Sequence, residues 1–269
     1  MRNSVSDSGL RASSIHASAG GPIGIVAAMP GEITALLHAM RTDRAVESHL
    51  IGGREFYSGE LFGRRCIAVL AGVGKVAAAI TATTMIRTFD ISALVFVGVA
   101  GGLAHGISVG DIVVAETLLQ HDLDASPLFP RYEVPLLGVS RFPAHADLSN
   151  ALALAAEQYL GFVGVGRVHR GLIVSGDQFV NDADDVRALR DALPDALAVE
   201  MEGASIAQAC DAFNVPFAVV RTISDSADGE AGRDFPRFLE ERASGYSLGV
   251  IERFLQGTPV TFGEAEADV

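Results

Sequence analysis

Three acidic residues stand just after apolar runs of strand length, and their type suits acid–base chemistry. They are Glu32, Glu202 and Asp225. Two carboxylates can divide the roles of general acid and general base when their surroundings separate their pKa values. A single acidic residue at a helix start is explained equally well by the helix dipole, which favours negative charge there. Catalysis by these residues therefore requires that all three meet at one edge of a sheet.

Two glycine-rich segments also follow apolar runs, where small residues let a ligand approach the backbone. Gly72-Val-Gly-Lys-Val-Ala77 matches the G-x-G-x-x-A dinucleotide fingerprint, with Asp90 downstream. The match comes in the second strand–helix unit, and a tight turn into a packed helix needs small residues as well. We therefore favour a structural role for it. For Gly98-Val-Ala-Gly-Gly102, ligand binding and an ordinary turn explain the pattern equally well.

Metal chemistry has little support in the pattern. His121, Asp122 and Asp124 lie close together along the chain, but no second histidine pair at ligand spacing accompanies them. We therefore expect no metal site.

The elements that position these residues follow from hydrophobic periodicity. Apolar runs of strand length alternate with segments of helical period, such as the apolar positions 33, 36, 37 and 40 on one helix face. This alternation, with strands that are apolar throughout, predicts an α/β domain with helices on both faces of the sheet. The predicted strands are residues 23–28, 67–70, 94–97, 112–115, 168–174, 197–199 and 217–223.

The predicted helices alternate with these strands. They begin near residues 33, 75, 148, 186, 203 and 235. We expect Gly161 to end the third helix, since glycine is common just past a helix end. Residues 235–255 are expected to form one long terminal helix.

Composition limits the class of protein. The chain has 269 residues, 49% of them hydrophobic, and no internal Pro/Gly/Ser-rich linker, which favours a single domain. Its 33 acidic and 20 basic residues give a net charge of −13. Such a surface repels a phosphate backbone, so nucleic acid is not expected as a partner.

Location and chain ends are predicted from short features. Two cysteines, Cys66 and Cys210, are too few for a disulfide framework and indicate a cytoplasmic protein with reduced thiols. The longest apolar stretch, residues 91–104, is too short to span a bilayer, so no membrane association is expected. Residues 1–20 are Ser-rich without an apolar core and predict a disordered extension. Residues 21–257 form the predicted catalytic domain, and residues 258–269 an acidic tail.

Several segments together resemble the 5′-methylthioadenosine/S-adenosylhomocysteine nucleosidases of the purine nucleoside phosphorylase superfamily, across roughly residues 22–256. The V-E-M-E and R-x-I-S-D segments are typical of the superfamily, and the S-G-D-x-F run of the nucleosidase branch. The matching segments, in chain order, are Gly24-Ile-Val-Ala-Ala-Met-Pro-Gly-Glu32, Gly72-Val-Gly-Lys-Val-Ala-Ala78, Ala100-Gly-Gly-Leu103, Val109-Gly-Asp-Ile-Val-Val114, Arg170-Gly-Leu-Ile-Val-Ser-Gly-Asp177, Val199-Glu-Met-Glu202 and Val219-Val-Arg-Thr-Ile-Ser-Asp225.

The resemblance implies an enzyme that hydrolyses the N-glycosidic bond of 5′-substituted adenine nucleosides. Asp225 would protonate adenine N7, Glu32 would activate the attacking water, and Arg221 would help to place that water. Glu202 would accept hydrogen bonds from the ribose hydroxyls. Positive charge that builds on the ribose and negative charge on the leaving base suit these roles.

The resemblance also implies the surroundings of these groups. Phe179 would stack on adenine, the backbone at Val180 would read its edge, and Met201 would pack on the sugar. The fold would be a single domain with a mixed central β-sheet flanked by helices on both faces, as in nucleoside phosphorylases. No cofactor is needed, and a homodimer is expected. The remaining substrate-binding residues are Val99, Ala100, Gly101 and Ser224.

Two departures from the family leave details open. The family usually has Ser where this chain has Val99, which removes one possible hydrogen bond to the water or to an anion. Residues 120–142 also differ from familiar members and are rich in Pro and aromatic residues. They would line the pocket for the 5′ substituent or a subunit interface, so the preferred 5′ group stays open.

Four alternatives are weighed against this interpretation. A phosphate-dependent phosphorylase is disfavoured because no arginine follows Glu32 closely and because Val99 offers no phosphate ligand. A 6-amino-6-deoxyfutalosine nucleosidase would use the same residues and stays open. A dinucleotide-dependent oxidoreductase would rest on the segment at residues 72–77 alone. A non-catalytic nucleoside-binding protein would not need a separate acid and base.

Overall fold

We describe the fold from a computed structural model of the chain, which describes residues 20–43, 45–226 and 231–258. The predicted N-terminal extension, apart from Gly20, and the predicted acidic tail, apart from Thr258, lie outside these ranges. No helix within them is long and apolar enough to cross a membrane.

The strands of the described residues form one ten-stranded sheet. They are β1 (Ile23–Ala27), β2 (Glu47–Ile51), β3 (Arg54–Leu61), β4 (Arg64–Leu70), β5 (Ala93–Gly102), β6 (Ile112–Gln120), β7 (Phe142–Pro143), β8 (Val168–Ser175), β9 (Ala196–Glu200) and β10 (Phe217–Asp225).

Helices fill the connections between most of these strands. They are α1 (Pro30–Asp43), α2 (Lys75–Phe89), α3 (Ala146–Val163), α4 (Ala183–Ala192), α5 (Gly203–Ala212), α6 (Ala231–Phe238) and α7 (Ser244–Gln256), with a π-helical turn at Leu239–Ala243 between the last two.

The sheet is mixed, and part of it closes on itself. Its order is β10-β6-β8-β9-β5-β1-β4-β3-β2, and β10 also pairs with β5. β5 runs parallel to β1 and β10 but antiparallel to β9, and β6 runs antiparallel to β10. The strands β5, β10, β6, β8 and β9 therefore form a closed ring of pairings. The predicted single α/β domain with a mixed central sheet is confirmed.

Both faces of the sheet are covered, which explains why its central strands are apolar throughout. Successive strand residues point to opposite faces. Val95 and Val97 of β5 belong to the core beneath α1, α3 and α7, whereas Leu94 and Phe96 belong to the core beneath α2 and α5. All nine residues of β10 are buried. Two-sided burial thus replaces the alternating pattern of a one-sided sheet.

The structure differs from the sequence-based prediction in a hairpin, in the end of α3 and in the terminal helix. The hairpin of β2 and β3 was not predicted, because its residues are mostly half-exposed and do not form an apolar run. Helix α3 does not end at Gly161, as predicted, but continues to Val163 and is capped by Gly164, whose φ of 82° is left-handed. Gly161 has only open space beside it, so nothing forces the helix to end there.

The predicted terminal helix is interrupted by the π-helical turn, and close packing against α1 accounts for this. A Cβ at Gly31 would lie 2.8 Å from the carbonyl oxygen of Leu239 in the turn. The Ser244 hydroxyl, at the end of the turn, accepts a hydrogen bond from the Ala35 N–H in α1 at 2.7 Å. The backbone of the π-helical turn and the start of α7 therefore pack directly against α1, next to Glu32.

Gly31→Ala is expected to destabilise the protein by about 1–3 kcal/mol, because the added methyl overpacks against the Leu239 backbone. Gly161→Ala is the matched control, since its methyl meets open space in α3 and should stabilise by about 0.5–1 kcal/mol. Urea denaturation of both variants measures the difference. Equal effects of the two substitutions would contradict the close packing of α1 on the π-helical turn.

Candidate active site

A cavity opens where β1, β5, β8, β9 and β10 end. The structure brings the three acidic residues considered first to this one cavity, together with every other predicted site residue except Arg221. The predicted residues that line it are Glu32, Val99, Ala100, Gly101, Phe179, Val180, Met201, Glu202, Ser224 and Asp225.

Glu32 is held by backbone donors at the start of α1. Its Oε2 accepts hydrogen bonds from the N–H groups of Ala28 at 2.9 Å and Met29 at 2.7 Å, and its Oε1 accepts one from Val99 at 3.0 Å. The side chain is 2% exposed. Burial raises its pKa above the ordinary value, although Arg221 and the three N–H groups oppose this. Glu32 is thus a precisely oriented carboxyl group with a strengthened affinity for a proton.

Arg221 lies behind the cavity lining and is fully buried in β10. Its Cζ lies 3.6 Å from the centroid of the Phe96 ring, and its Nη2 donates to Glu200 Oε2 at 2.5 Å. Its Nε and Nη1 have no hydrogen-bond partner within the described residues. A buried unpaired donor is costly unless a ligand or water completes it.

Gly98 separates Arg221 from Glu32. A Cβ at this position would overlap both Arg221 Nη1 and the Glu32 carboxylate, and the φ of 157° also favours glycine. The free Nη1 and the Glu32 carboxylate therefore both pack against the glycine. Glycine at this position is therefore required by the packing of two site side chains, and the glycine-rich segment forms the last part of β5 rather than a turn.

Glu200 is a site residue that the sequence did not single out. It accepts hydrogen bonds from the N–H groups of Glu202 and Gly203, from the Ser175 hydroxyl and from Arg221. Its carboxylate thereby fixes the turn that follows β9 and pairs the buried guanidinium. The V-E-M-E segment contains it, but sequence alone does not show which glutamate of the segment is saturated by protein donors.

Glu202 has fewer partners than Glu200. Its Oε1 accepts a hydrogen bond from the Gly74 N–H at 2.8 Å, and its Oε2 lies 3.8 Å from Arg221 Nη2. Burial, followed by repulsion from Glu200, raises the pKa of Glu202 to about 8.

Asp225 closes the opposite side of the cavity at the end of β10. It is 2% exposed, and a bulge between Ile223 and Asp225 shifts its pairing with β5. The Ser224 hydroxyl lies 2.7 Å from Asp225 Oδ2 and 3.3 Å from the Ala100 carbonyl oxygen. The carboxyl group is therefore oriented toward the cavity by its chain neighbour.

The rest of the wall is mostly apolar and includes Phe235, which the sequence analysis missed. Phe179 is 41% exposed at the cavity, and its ring centroid lies 5.4 Å from that of Phe235 in α6. Val180 and Met201 complete this side. Nothing in the spacing of Phe235 distinguishes it from a core residue of an amphipathic helix.

The other chemical candidates have structural partners. Asp122 pairs with Lys75 Nζ at 2.6 Å, and the ring of His121 packs against Gly176. Within the described ranges no cluster of three or more His, Cys, Asp or Glu side chains is arranged to hold a metal ion. The segment Gly106-Ile-Ser-Val-Gly110 formally matches G-x-S-x-G, but it joins β5 to β6 rather than a strand to a helix and so lacks the nucleophile-elbow geometry.

Glu200→Ala is expected to lower the free energy of unfolding by about 3–5 kcal/mol, because it leaves the buried Arg221 without its counter-ion. Asp195→Ala is the control, since Asp195 pairs with Arg141 on the surface. An exposed pair contributes at most about 1 kcal/mol. Urea denaturation compares the two. A similar loss in both variants would show that the buried pair does not organise the site.

Sequence comparisons identify relatives that are named enzymes. A profile of the Phosphorylase superfamily matches residues 22–256. The 5′-methylthioadenosine/S-adenosylhomocysteine nucleosidase of Actinobacillus succinogenes is 39% identical over 218 residues, which cover 81% of this chain and 91% of the relative. The enzyme of the same name from Shewanella denitrificans is 36% identical over 217 residues, with the same coverage of 81% and 91%.

Solved structures agree with these relatives. The Neisseria meningitidis 5′-methylthioadenosine/S-adenosylhomocysteine nucleosidase in complex with methylthio-immucillin-A has a TM-score of 0.81 and 35% identity, over 88% of this chain and 99% of that one. A Helicobacter pylori variant with 5′-methylthioadenosine in its active site has a TM-score of 0.78 and 34% identity, over 88% and 98%. The chain therefore belongs to the 5′-methylthioadenosine/S-adenosylhomocysteine nucleosidases, a family of hydrolases in the phosphorylase superfamily.

Proposed function

We propose that this protein hydrolyses the N-glycosidic bond of 5′-methylthioadenosine and S-adenosylhomocysteine and releases adenine. The observation that carries the proposal is the meeting of Glu32, Glu202 and Asp225 around one cavity with an aromatic wall. Relatives with these substrates in their names support the choice of nucleoside. In the reaction, water oxygen bonds to C1′ of the ribose while the bond from C1′ to adenine N9 breaks.

Asp225 acts as the general acid in this proposal. Protonation of adenine N7 neutralises the negative charge that builds on the departing base. Ser224 orients the carboxyl group, and Phe179 stands where it can stack on the purine ring. The backbone at Val180 lies on the same wall and would read the purine edge.

Glu32 acts as the general base that takes a proton from the attacking water. Arg221 Nη1 has no hydrogen-bond partner among the described residues and lies, like the Glu32 carboxylate, against Gly98, so both groups would contact that water. Three backbone donors fix the carboxylate, so little reorganisation is required when the water is activated. Glu32 takes up the proton of the water, and Asp225 gives its proton to adenine N7. After product release, exchange with solvent returns both carboxyl groups to their starting protonation states.

Glu202 and Met201 bind the sugar in this scheme. Glu202 reaches the cavity next to Met201 and would accept hydrogen bonds from the ribose hydroxyls. Carboxylates near the sugar favour the oxocarbenium-like state, in which the ribose carries positive charge. Burial, and then repulsion from Glu200, raises the pKa of Glu202 before a sugar is present.

Water is favoured over phosphate as the nucleophile by the charge around the cavity. The described lining residues include no lysine or arginine, and Arg221 behind them is paired with Glu200. Val99 presents an apolar side chain, and its N–H is occupied by Glu32. A phosphate dianion would therefore face carboxylates without a compensating cation.

A homodimer in the cytoplasm completes the proposal. Val76 and Ile80 are exposed on one face of α2, at a spacing of four residues, and Val73 just before the helix is exposed as well. Such exposed faces are typical of subunit interfaces. Cys66 and Cys210 are both free and buried, as suits a reducing compartment.

The direct test is adenine release from a panel of nucleosides by the purified protein, with and without phosphate. We expect 5′-methylthioadenosine and S-adenosylhomocysteine each to be cleaved at the same rate with and without phosphate. Adenosine and inosine should be poorer substrates. 6-Amino-6-deoxyfutalosine belongs in the panel because it needs the same acid and base. A strict requirement for phosphate, or preference for that last substrate, would overturn the proposal.

The pH dependence of kcat/KM tests the role of Glu32. A general base works only when ionised, so activity is lost as the pH falls through the raised pKa of Glu32, above the range of an exposed glutamate. Glu32→Gln should lower kcat about 10²–10⁴-fold and abolish this acid limb. Glu202→Gln should weaken sugar binding but keep an acid limb. A limb that survives in Glu32→Gln would assign the base elsewhere.

A further inference from the structure

The start of α2 holds two carboxylates of the protein itself. The Gly74 N–H donates to Glu202 Oε1 at 2.8 Å, and the Lys75 N–H donates to Asp177 Oδ1 at 2.7 Å. Free N–H groups and the helix dipole make such an N-terminus a site for anions. The segment at residues 72–77 formally matches a dinucleotide fingerprint, but its Gly74 and Lys75 N–H groups already donate to Glu202 and Asp177.

Lys75, Asp122 and Asp177 form a closed ring of interactions. Lys75 Nζ pairs with Asp122 Oδ1 at 2.6 Å, and Asp122 Oδ2 accepts the Asp177 N–H at 2.9 Å. Asp177 Oδ1 returns to the Lys75 N–H. We call these three residues the clamp. They join the start of α2, the loop after β6 and the loop after β8.

The clamp adjoins both halves of the proposed substrate site. Asp177 directly precedes the cavity-lining segment that contains Phe179 and Val180. Lys75 directly follows Gly74, whose N–H holds Glu202. A change in the clamp would therefore alter the position of the base-binding segment relative to the sugar-binding carboxylate.

Two glycines let the segments of the clamp approach closely, although Asp122 and Asp177 are exposed. Gly74 has a φ of 99°, and a Cβ there would lie 3.1 Å from Asp177 Oδ1. On the other side, a Cβ at Gly176 would overlap the His121 ring. Lys75 Nζ also donates to the Gln120 side chain at 3.1 Å. Glycine at both positions lets the three segments approach at backbone distance.

We propose that Asp122 is a positioning residue, which acts through the clamp to set the distance between the sugar-binding Glu202 and the adenine-binding segment. The proposal rests on the function proposed above, because it assigns those two halves to sugar and base. Asp122 itself does not line the cavity. It is the one clamp member that contributes only side-chain oxygens, so its substitution leaves the backbone bonds of Gly74 and Lys75 in place.

The test compares Asp122→Ala with the control Asp195→Ala, which removes a carboxylate from a surface ion pair away from the cavity. For 5′-methylthioadenosine, Asp122→Ala should lower kcat/KM about 10–100-fold, as expected when a binding group is misplaced by roughly 1 Å. The Ki of free adenine, which contacts only the base-binding half, should change less than about threefold. Asp195→Ala should change neither value.

A second readout separates positioning from general destabilisation. In the unmodified protein, removal of the ribose 3′-hydroxyl from the substrate should lower kcat/KM about 10–100-fold, since a hydrogen bond to a charged group is lost. In Asp122→Ala this penalty should shrink about tenfold. Lys75→Arg alone keeps a cation opposite Asp122 and should keep a near-normal 3′-hydroxyl penalty. Lys75→Met combined with Asp122→Ala should lower kcat/KM no more than either substitution alone, because both break the same ring.

The outcomes are distinct. An Asp122→Ala variant that loses thermal stability but keeps the full 3′-hydroxyl penalty would overturn the positioning role of Asp122. The proposed function would remain intact. If the unmodified protein cleaves none of the nucleosides, the proposed function fails. The clamp is then tested by calorimetric binding of adenine and of 5′-methylthioadenosine, where equal losses for both ligands in Asp122→Ala would overturn it.

Discussion

The buried ion pair between Arg221 and Glu200 is the interaction on which the acidic centre depends. Glu32, Glu200 and Glu202 crowd around one guanidinium that is almost fully buried. Unpaired charges are expensive to remove from water, and this arrangement is tolerable only with a cation at its centre and backbone donors around it. Arg221 in turn packs over the Phe96 ring. The geometry of the site follows from how this one cation is shared.

The carboxylates differ in function because they differ in how far protein donors saturate them. Glu200 accepts bonds from several donors and serves as an anchor. Glu202 has one backbone donor and a strongly raised pKa, and burial also raises the pKa of Glu32. All three line the cavity, but only Glu32 and Glu202 have a raised pKa. A set of chemically identical side chains is thereby divided into structural and reactive members.

Much of the fold was predictable because two-sided burial leaves a strong signal. Strands covered on both faces are apolar at every position, so β5 and β10 stand out in the sequence. The hairpin of β2 and β3 gives no such signal, since its residues are half-exposed. The end of α3 was misplaced for a similar reason. Either of two glycines suits a helix end by type, and only the left-handed backbone at Gly164 decides between them.

For the site, the sequence by itself determined which side chains are available and that they stand at the ends of strands, since hydrophobic runs and acidic residues are local properties. Their convergence was decided only by the sheet, where β5, β9 and β10 meet. The tertiary structure also decided the saturation of Glu200, the close packing of Arg221 and Glu32 against Gly98, and the use of the α2 N-terminus by Glu202. Each depends on distances between segments far apart in the chain, and no local pattern encodes such distances.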